Sequence, residues 1–190
     1  MSTNVTELHP ALMHKLSSLP SLVLPRGHIV FHGGTSRTRA ADLEAGKLMG
    51  VCRWTSEDAS YACDYGLADG SNDETGFLWV CRLRNDTPAL LGSQTSLHGH
   101  APWGNGFASL FPKAYESYAH RILGASGPVA FVNRVSMDHH GEILLTSPEQ
   151  AVEVLDMVRL PCKRPDAQAL GRRLNEEYSA GPLAKYAALL

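Results

Sequence analysis

In the stretch ValPheHisGlyGly, residues 30–34, a histidine and two glycines follow the apolar run 29–31. Such a run reads as the end of a buried strand. His32 then stands where a sheet delivers a side chain into a cleft, and Gly33 and Gly34 let backbone approach a ligand closely. A histidine at a strand end is also commonly a satisfied structural residue, so this stretch alone leaves both readings open. Arg37 and Arg39 follow in the next segment, either to reach a phosphate group or to form a solvated helix face. His139 and His140 are adjacent, so on a strand they point to opposite sides and cannot readily share a metal ion. Cys52, Cys63, Cys81 and Cys162 show no CxxC or zinc-knuckle spacing, which favours reduced packing thiols in a cytosolic compartment and no metal site.

The chain that must position these residues has 190 residues, 44% hydrophobic and 19% charged, enough for one well-buried domain and short for two. A formal charge of −2 supplies no basic field that would itself hold nucleic acid. No apolar run is long enough for a membrane helix, and the amino terminus lacks the pattern of a secretory signal, so no membrane association is expected.

Residues 1–27 read as an appended helical segment. After 25–27 comes a first strand, then a helix over 35–48 with Thr35 or Ser36 at its cap and Gly46 near its end. Residues 54–66 read as a second helix with a Ser56 cap and a closing Gly66. The segment 76–84 reads as a largely buried strand, and 92–106 as a long loop rich in turn formers. A helix over 115–123, strands over 129–135, 142–145 and 151–160, and a helical tail complete an α+β domain without internal repeats. The organisation expected is 1–27 appended, 28–160 the functional domain, and 161–190 a helical tail.

Four pieces of 28–160 resemble, in order, the ADP-ribosyltransferase superfamily, within it the H-Y-E group that includes diphtheria toxin and the poly-ADP-ribose polymerases. The first is HisGlyGlyThrSer at 32–36, followed by a helix with Leu43 and Gly46. The second is the pair Trp54 and Tyr65, eleven positions apart, matching an aromatic on a strand and a second on the following helix. The third is the strand ending in ArgLeuArg at 82–84. The fourth is GlyGluIleLeuLeu at 141–145 followed by an alternating strand, in which Glu142 falls on the family's catalytic glutamate.

The resemblance implies a split β-sheet core with flanking helices and NAD as substrate, with no metal. Trp54 and Tyr65 would clamp the flat nicotinamide cation, by stacking and cation–π attraction of about 0.5–2 kcal/mol, and Ala62 leaves room for the ring. Gly33 would offer backbone N–H and C=O to the carboxamide, with Thr35 and Ser36 supplying hydroxyl contacts. His32 would bond the adenine-side ribose, and ionised Glu142 would stabilise the oxocarbenium-like charge that develops as the bond to nicotinamide stretches.

Three positions depart from the pattern. Gly34 stands where many polymerase-type members carry serine, and Trp54 where tyrosine is usual. His140 stands two residues before Glu142, where arginine-modifying members have glutamate, which disfavours an arginine acceptor.

The implied activity is transfer of ADP-ribose to a macromolecular acceptor, protein or nucleic acid, in a toxin or effector with a neutralising partner protein. Such a protein would act in the cytoplasm, or in a target cell reached by an unread route. The alternatives are an NAD glycohydrolase using water and an inactive module that binds NAD or ADP-ribose. His98, His100 and Trp103 would either order the 92–106 loop or touch the acceptor.

Overall fold

The computed structural model describes residues 10–67, 74–92, 117–134 and 141–178. The chain is an α+β fold. In order come α1 (Pro10–Ser17), β1 (Ser21–Leu24), β2 (Ile29–Thr35), α2 (Ala40–Ala45), β3 (Cys52–Ser56), α3 (Ala59–Gly66), β4 (Gly76–Leu83) and β5 (Thr87–Gly92). Helical turns over 117–123 precede β6 (Ala130–Arg134), β7 (Gly141–Thr146), α4 (Pro148–Ala151), β8 (Val152–Arg159) and α5 (Arg164–Tyr178).

The eight strands form one mixed sheet in the order β1-β5-β6-β7-β3-β2-β4-β8, with β5–β6 the parallel pair. Its continuity is uneven. β2 pairs with β4 along its whole length, from Ile29 opposite Arg82 to Thr35 opposite Gly76. β3 pairs with β7 from Cys52 opposite Thr146 to Ser56 opposite Glu142. Between β2 and β3 the register holds one pair, Phe31 with Ser56. The sheet therefore splits at this seam into β1-β5-β6-β7-β3 and β2-β4-β8. Two histidines reach across the seam on either side of the pair: His32 Nδ1 is hydrogen-bonded to the Trp54 carbonyl oxygen at 2.7 Å, and His28 Nε2 lies close to Glu57 Oε1.

Period-two alternation sends each strand's apolar side chains to two buried faces. From β4, Trp79, Cys81 and Leu83 join Val30 and, from the other half-sheet, Val132, Ile143 and Leu145 in a central core drawn from both halves. Leu78 and Val80 turn the other way, to Phe31 and the α3 and α5 residues Cys63, Ala167 and Leu174. Behind the other half, Phe131, Leu144 and Leu90 pack on Leu16 of α1 and on Tyr118 and Ala119. Helices thus cover both halves from outside.

α3 lies on β2 at backbone contact distance. A Cβ built on Gly33 would sit 1.9 Å from the Ala62 carbonyl oxygen and 2.7 Å from the Gly66 nitrogen, so no side chain fits there. Asp58 caps α3, its Oδ1 accepting from Ser60 N at 2.8 Å. α5 grips both ends of the helix: Asn175 Nδ2 donates to Asp58 Oδ1 at 2.8 Å, and Arg164 forks onto Asp64 at 2.9 and 2.6 Å.

Two of the expected helices begin later than the sequence implies. The segment 35–48 holds a helix from Ala40, closed by Gly46 at φ 61°, and neither Thr35 nor Ser36 caps it. Thr35 ends β2, its Oγ1 3.0 Å from Thr38 Oγ1; Ser36 N donates to Thr75 O at 2.8 Å. The segment 54–66 divides into β3 and α3, with Asp58 and not Ser56 as the cap. Pairing with β7 overrides the helical pattern of 54–56. Two strands carry no sequence expectation: β1 is four residues long, and β5 contains Pro88, tolerated because β5 pairs with β6 only from Ala89 onward. The 92–106 loop beyond Gly92, with His98, His100 and Trp103, lies outside the described residues, as do His139 and His140.

Gly33→Ala is expected to cost at least about 1–3 kcal/mol of unfolding free energy, the range for overpacking, because the clash is with backbone that cannot rotate away. Gly127→Ala, where nothing lies within 4 Å of the added methyl group, should stay within about 0.5 kcal/mol of the parent. Urea unfolding of the two variants checks the contrast.

Candidate functional site

Where β2 parts from β3 beyond the Phe31–Ser56 pair, a cleft of about 430 Å³ opens. His32, Gly33, Trp54, Ala62, Tyr65 and Glu142 all line it. Residues separated by as much as 110 positions thus meet because β7 delivers Glu142 opposite Ser56 while α3 lies across β2. Thr35 and Ser36 are not in the lining; the Thr35 hydroxyl meets Thr38 in the turn towards α2, the Ser36 hydroxyl accepts from Thr75 N, and Thr38 and Arg39 take the corresponding wall.

Glu142 is flanked in register by Ser56 of β3 and Asn133 of β6. Its Oε1 accepts from the Tyr61 hydroxyl at 2.6 Å and from the Tyr65 hydroxyl at 3.3 Å, and Oε2 accepts from Asn133 Nδ2 at 2.7 Å. Donors on both oxygens fix the orientation of the carboxylate. Burial, reinforced by the bond to Glu142, drives the Tyr61 phenol well above its ordinary range, and burial raises Tyr65 as well, so both remain donors at neutral pH. The Tyr65 ring is 58% exposed, with open area for a flat ligand. Trp54 contributes to the cleft wall while also packing against the cluster of Phe131 and Leu144.

At the other end of the cleft His32 is 5% exposed and bonded at both ring nitrogens. A carbonyl oxygen can only accept, so Nδ1 carries the proton towards Trp54 O. Nε2 then accepts from Arg39 Nε at 3.0 Å. The imidazole is neutral: burial, aided by the charges of Arg39 and Arg53, lowers its pKa to about 4 against the opposing bond to Trp54.

Arg39 in turn leans on Asp42, which is 1% exposed, at 3.8 Å, with Arg53 3.4 Å from the same carboxylate. Gly34 belongs to this arrangement. A Cβ there would fall 2.5 Å from Arg39 Cγ, so the glycine makes room for the Arg39 side chain. The cleft therefore carries a guanidinium at one end, a fixed carboxylate at the other, and aromatic rings beside the carboxylate.

Sequence reasoning passed over Tyr61 and Asn133. Tyr61 had a signal, since its spacing of four from Tyr65 puts both on one helix face. Asn133 had none, because its meeting with Glu142 exists only through the β6–β7 register.

No protein-family model and no curated protein sequence matches the chain. Among solved structures, the chain is similar to one in the crystal structure of the M. tuberculosis MbcT–MbcA toxin–antitoxin complex. The match has 9% identity and a TM-score of 0.48, and covers 88% of this chain and 98% of that one.

The His32 assignment fixes a pH dependence. A histidine whose folded pKa of about 4 lies below its ordinary 6.5 binds a proton more readily when unfolded. Its contribution to stability is complete above pH 6.5 and is lost as the pH falls from there to about 4, on the order of 3 kcal/mol in all. His32→Gln should remove this component of the pH slope, read as the difference between the two unfolding-free-energy profiles over that window.

Proposed function

We propose that the chain is an ADP-ribosyltransferase: it takes NAD, releases nicotinamide, and transfers ADP-ribose to a macromolecular acceptor. The observation that carries this reading is Glu142, a carboxylate held by Tyr61 and Asn133 with the Tyr65 hydroxyl 3.3 Å away, in the same cleft as His32.

In the reaction the C–N bond between ribose C1 and nicotinamide breaks, its electron pair leaving with the ring, which departs neutral. C1 becomes oxocarbenium-like, the acceptor's nucleophilic atom bonds to it, and the acceptor's proton is released. Glu142 stabilises the positive charge on the ribose and accepts a hydrogen bond from its 2′-hydroxyl. The exposed Tyr65 ring and Trp54 hold the nicotinamide, beside the backbone of Gly33.

The cleft's charge pattern supports a ligand with a cationic ring and an anionic centre. Arg39 is its cation for the diphosphate, and His32 acts through Arg39, since both imidazole nitrogens are already bonded. The resemblance to a group that includes diphtheria toxin extends the proposal to a toxin or effector role with a neutralising partner protein.

Glu142→Gln keeps size and hydrogen-bonding reach but removes the charge, so nicotinamide release should fall at least about 10²–10³-fold with NAD affinity nearly unchanged. Labelled NAD incubated with the protein and a lysate separates the outcomes: label in protein or nucleic acid supports transfer, free ADP-ribose means water is the acceptor, and binding without nicotinamide release reduces the chain to a binding module. Arg39→Gln should weaken NAD about tenfold and leave nicotinamide riboside, which lacks the diphosphate, unaffected. Equal losses for the two ligands in calorimetric titration would remove Arg39 from the diphosphate site.

A further inference from the structure

Tyr61 is the closest donor to Glu142, and the reaction as written gives it no part. Its hydroxyl lies 2.6 Å from Oε1, against 3.3 Å for Tyr65, and the two hydroxyls are 2.7 Å apart. Each phenol has one proton to give. The distances are met by a relay in which Tyr65 donates to the Tyr61 oxygen and Tyr61 donates to the carboxylate. The rings stand on successive turns of α3, edge to face at 70° with centroids 5.3 Å apart, so the hydroxyls converge without bending the helix. Asn133 holds the opposite oxygen from β6.

A glutamate side chain has three rotatable bonds, and a carboxylate fixed from one side can still swing. Held by α3 on one oxygen and β6 on the other, Glu142 has one position. That position is tied through the Tyr61 hydroxyl to the ring of Tyr65. We propose that Tyr61 is a positioning residue that registers the Glu142 carboxylate against the Tyr65 ring, so that the ribose meets the carboxylate at the level where the nicotinamide meets the ring. The inference rests on the proposed NAD reaction. Burial and the hydrogen bond to Glu142 keep the Tyr61 phenol protonated, as a donor in this place must be.

A tyrosine that merely packs would tolerate loss of its hydroxyl; a positioning residue acting through Glu142 would not. Tyr61→Phe keeps the ring and the fold, so the wild type, Tyr61→Phe, Glu142→Gln and the double variant form a cycle read by nicotinamide release and by urea unfolding. Tyr61→Phe should lower kcat about 10- to 100-fold, the worth of a hydrogen bond to a charged group, with the KM for NAD held within about twofold. In the Glu142→Gln background the same substitution should leave the residual rate unchanged, and the two substitutions should be non-additive in unfolding free energy.

Equal fold-losses in both backgrounds would mean that Tyr61 does not act through Glu142, and a raised KM with intact kcat would make it a binding residue; either result overturns the proposal. A wild type that releases no nicotinamide overturns the reaction itself and Tyr61's part in it. In that case non-additivity in unfolding alone shows that the Tyr61–Glu142 tie exists without that use, which separates the two failures.

Discussion

The parting of β2 from β3 is the constraint on which the rest of this molecule depends. Two strands that share a single register pair cannot fill the space between their diverging backbones with ladder hydrogen bonds. The unpaired edges need other partners, since an unmet buried amide or carbonyl costs about 1–3 kcal/mol. His32 supplies one of them. By donating to the Trp54 carbonyl it takes the place of a strand neighbour, and burial keeps the ring neutral, so that Nε2 can accept from Arg39. The cleft is thus the split itself, wedged by an imidazole on one wall and faced across the gap by the carboxylate of β7.

The charges in this cleft are ordered in layers. Asp42, almost wholly buried, offsets Arg39 and Arg53, and its own desolvation is met by Met49 N at 2.8 Å as well as by the guanidinium groups. Two guanidinium groups sharing one buried carboxylate are restrained by it and leave one formal positive charge over. Glu142 is treated in the opposite way, through the neutral donors Tyr61 and Asn133, with Tyr65 tied in through the Tyr61 hydroxyl, and these orient the carboxylate. The difference separates a cation backed by a buried opposite charge from an anion oriented by neutral donors.

Much of this was legible in the sequence, and the exceptions have physical causes. The α+β class followed from apolar runs such as 76–83, buried on both faces, and from the alternation of 152–159. The cleft residues His32, Gly33, Trp54, Ala62, Tyr65 and Glu142 were legible by resemblance, and they meet in one place. The reason for Gly33 was not legible. Its missing side chain reads as room for a ligand, whereas the structure puts the Ala62 carbonyl against it. Thr35 and Ser36 resemble a helix cap until the turn to Thr75 and Thr38 claims them. Asn133 and β1 depend on cross-strand register, which no local pattern encodes.

The helix that carries Tyr61 and Tyr65 is eight residues long, below the length of about 12–15 at which isolated helices are even marginal in water. Its order comes from what it touches: the glycine surface of β2, the Asp58 cap, and the grip of α5 through Asn175 and Arg164. α3 and α5 should then open to solvent exchange as one cooperative unit, with the amides of the tyrosine helix protected only as long as a segment a hundred residues further along the chain stays docked. The aromatic wall of the cleft has the lifetime of that docking, and its rigidity belongs to α5 as much as to the strands beneath it.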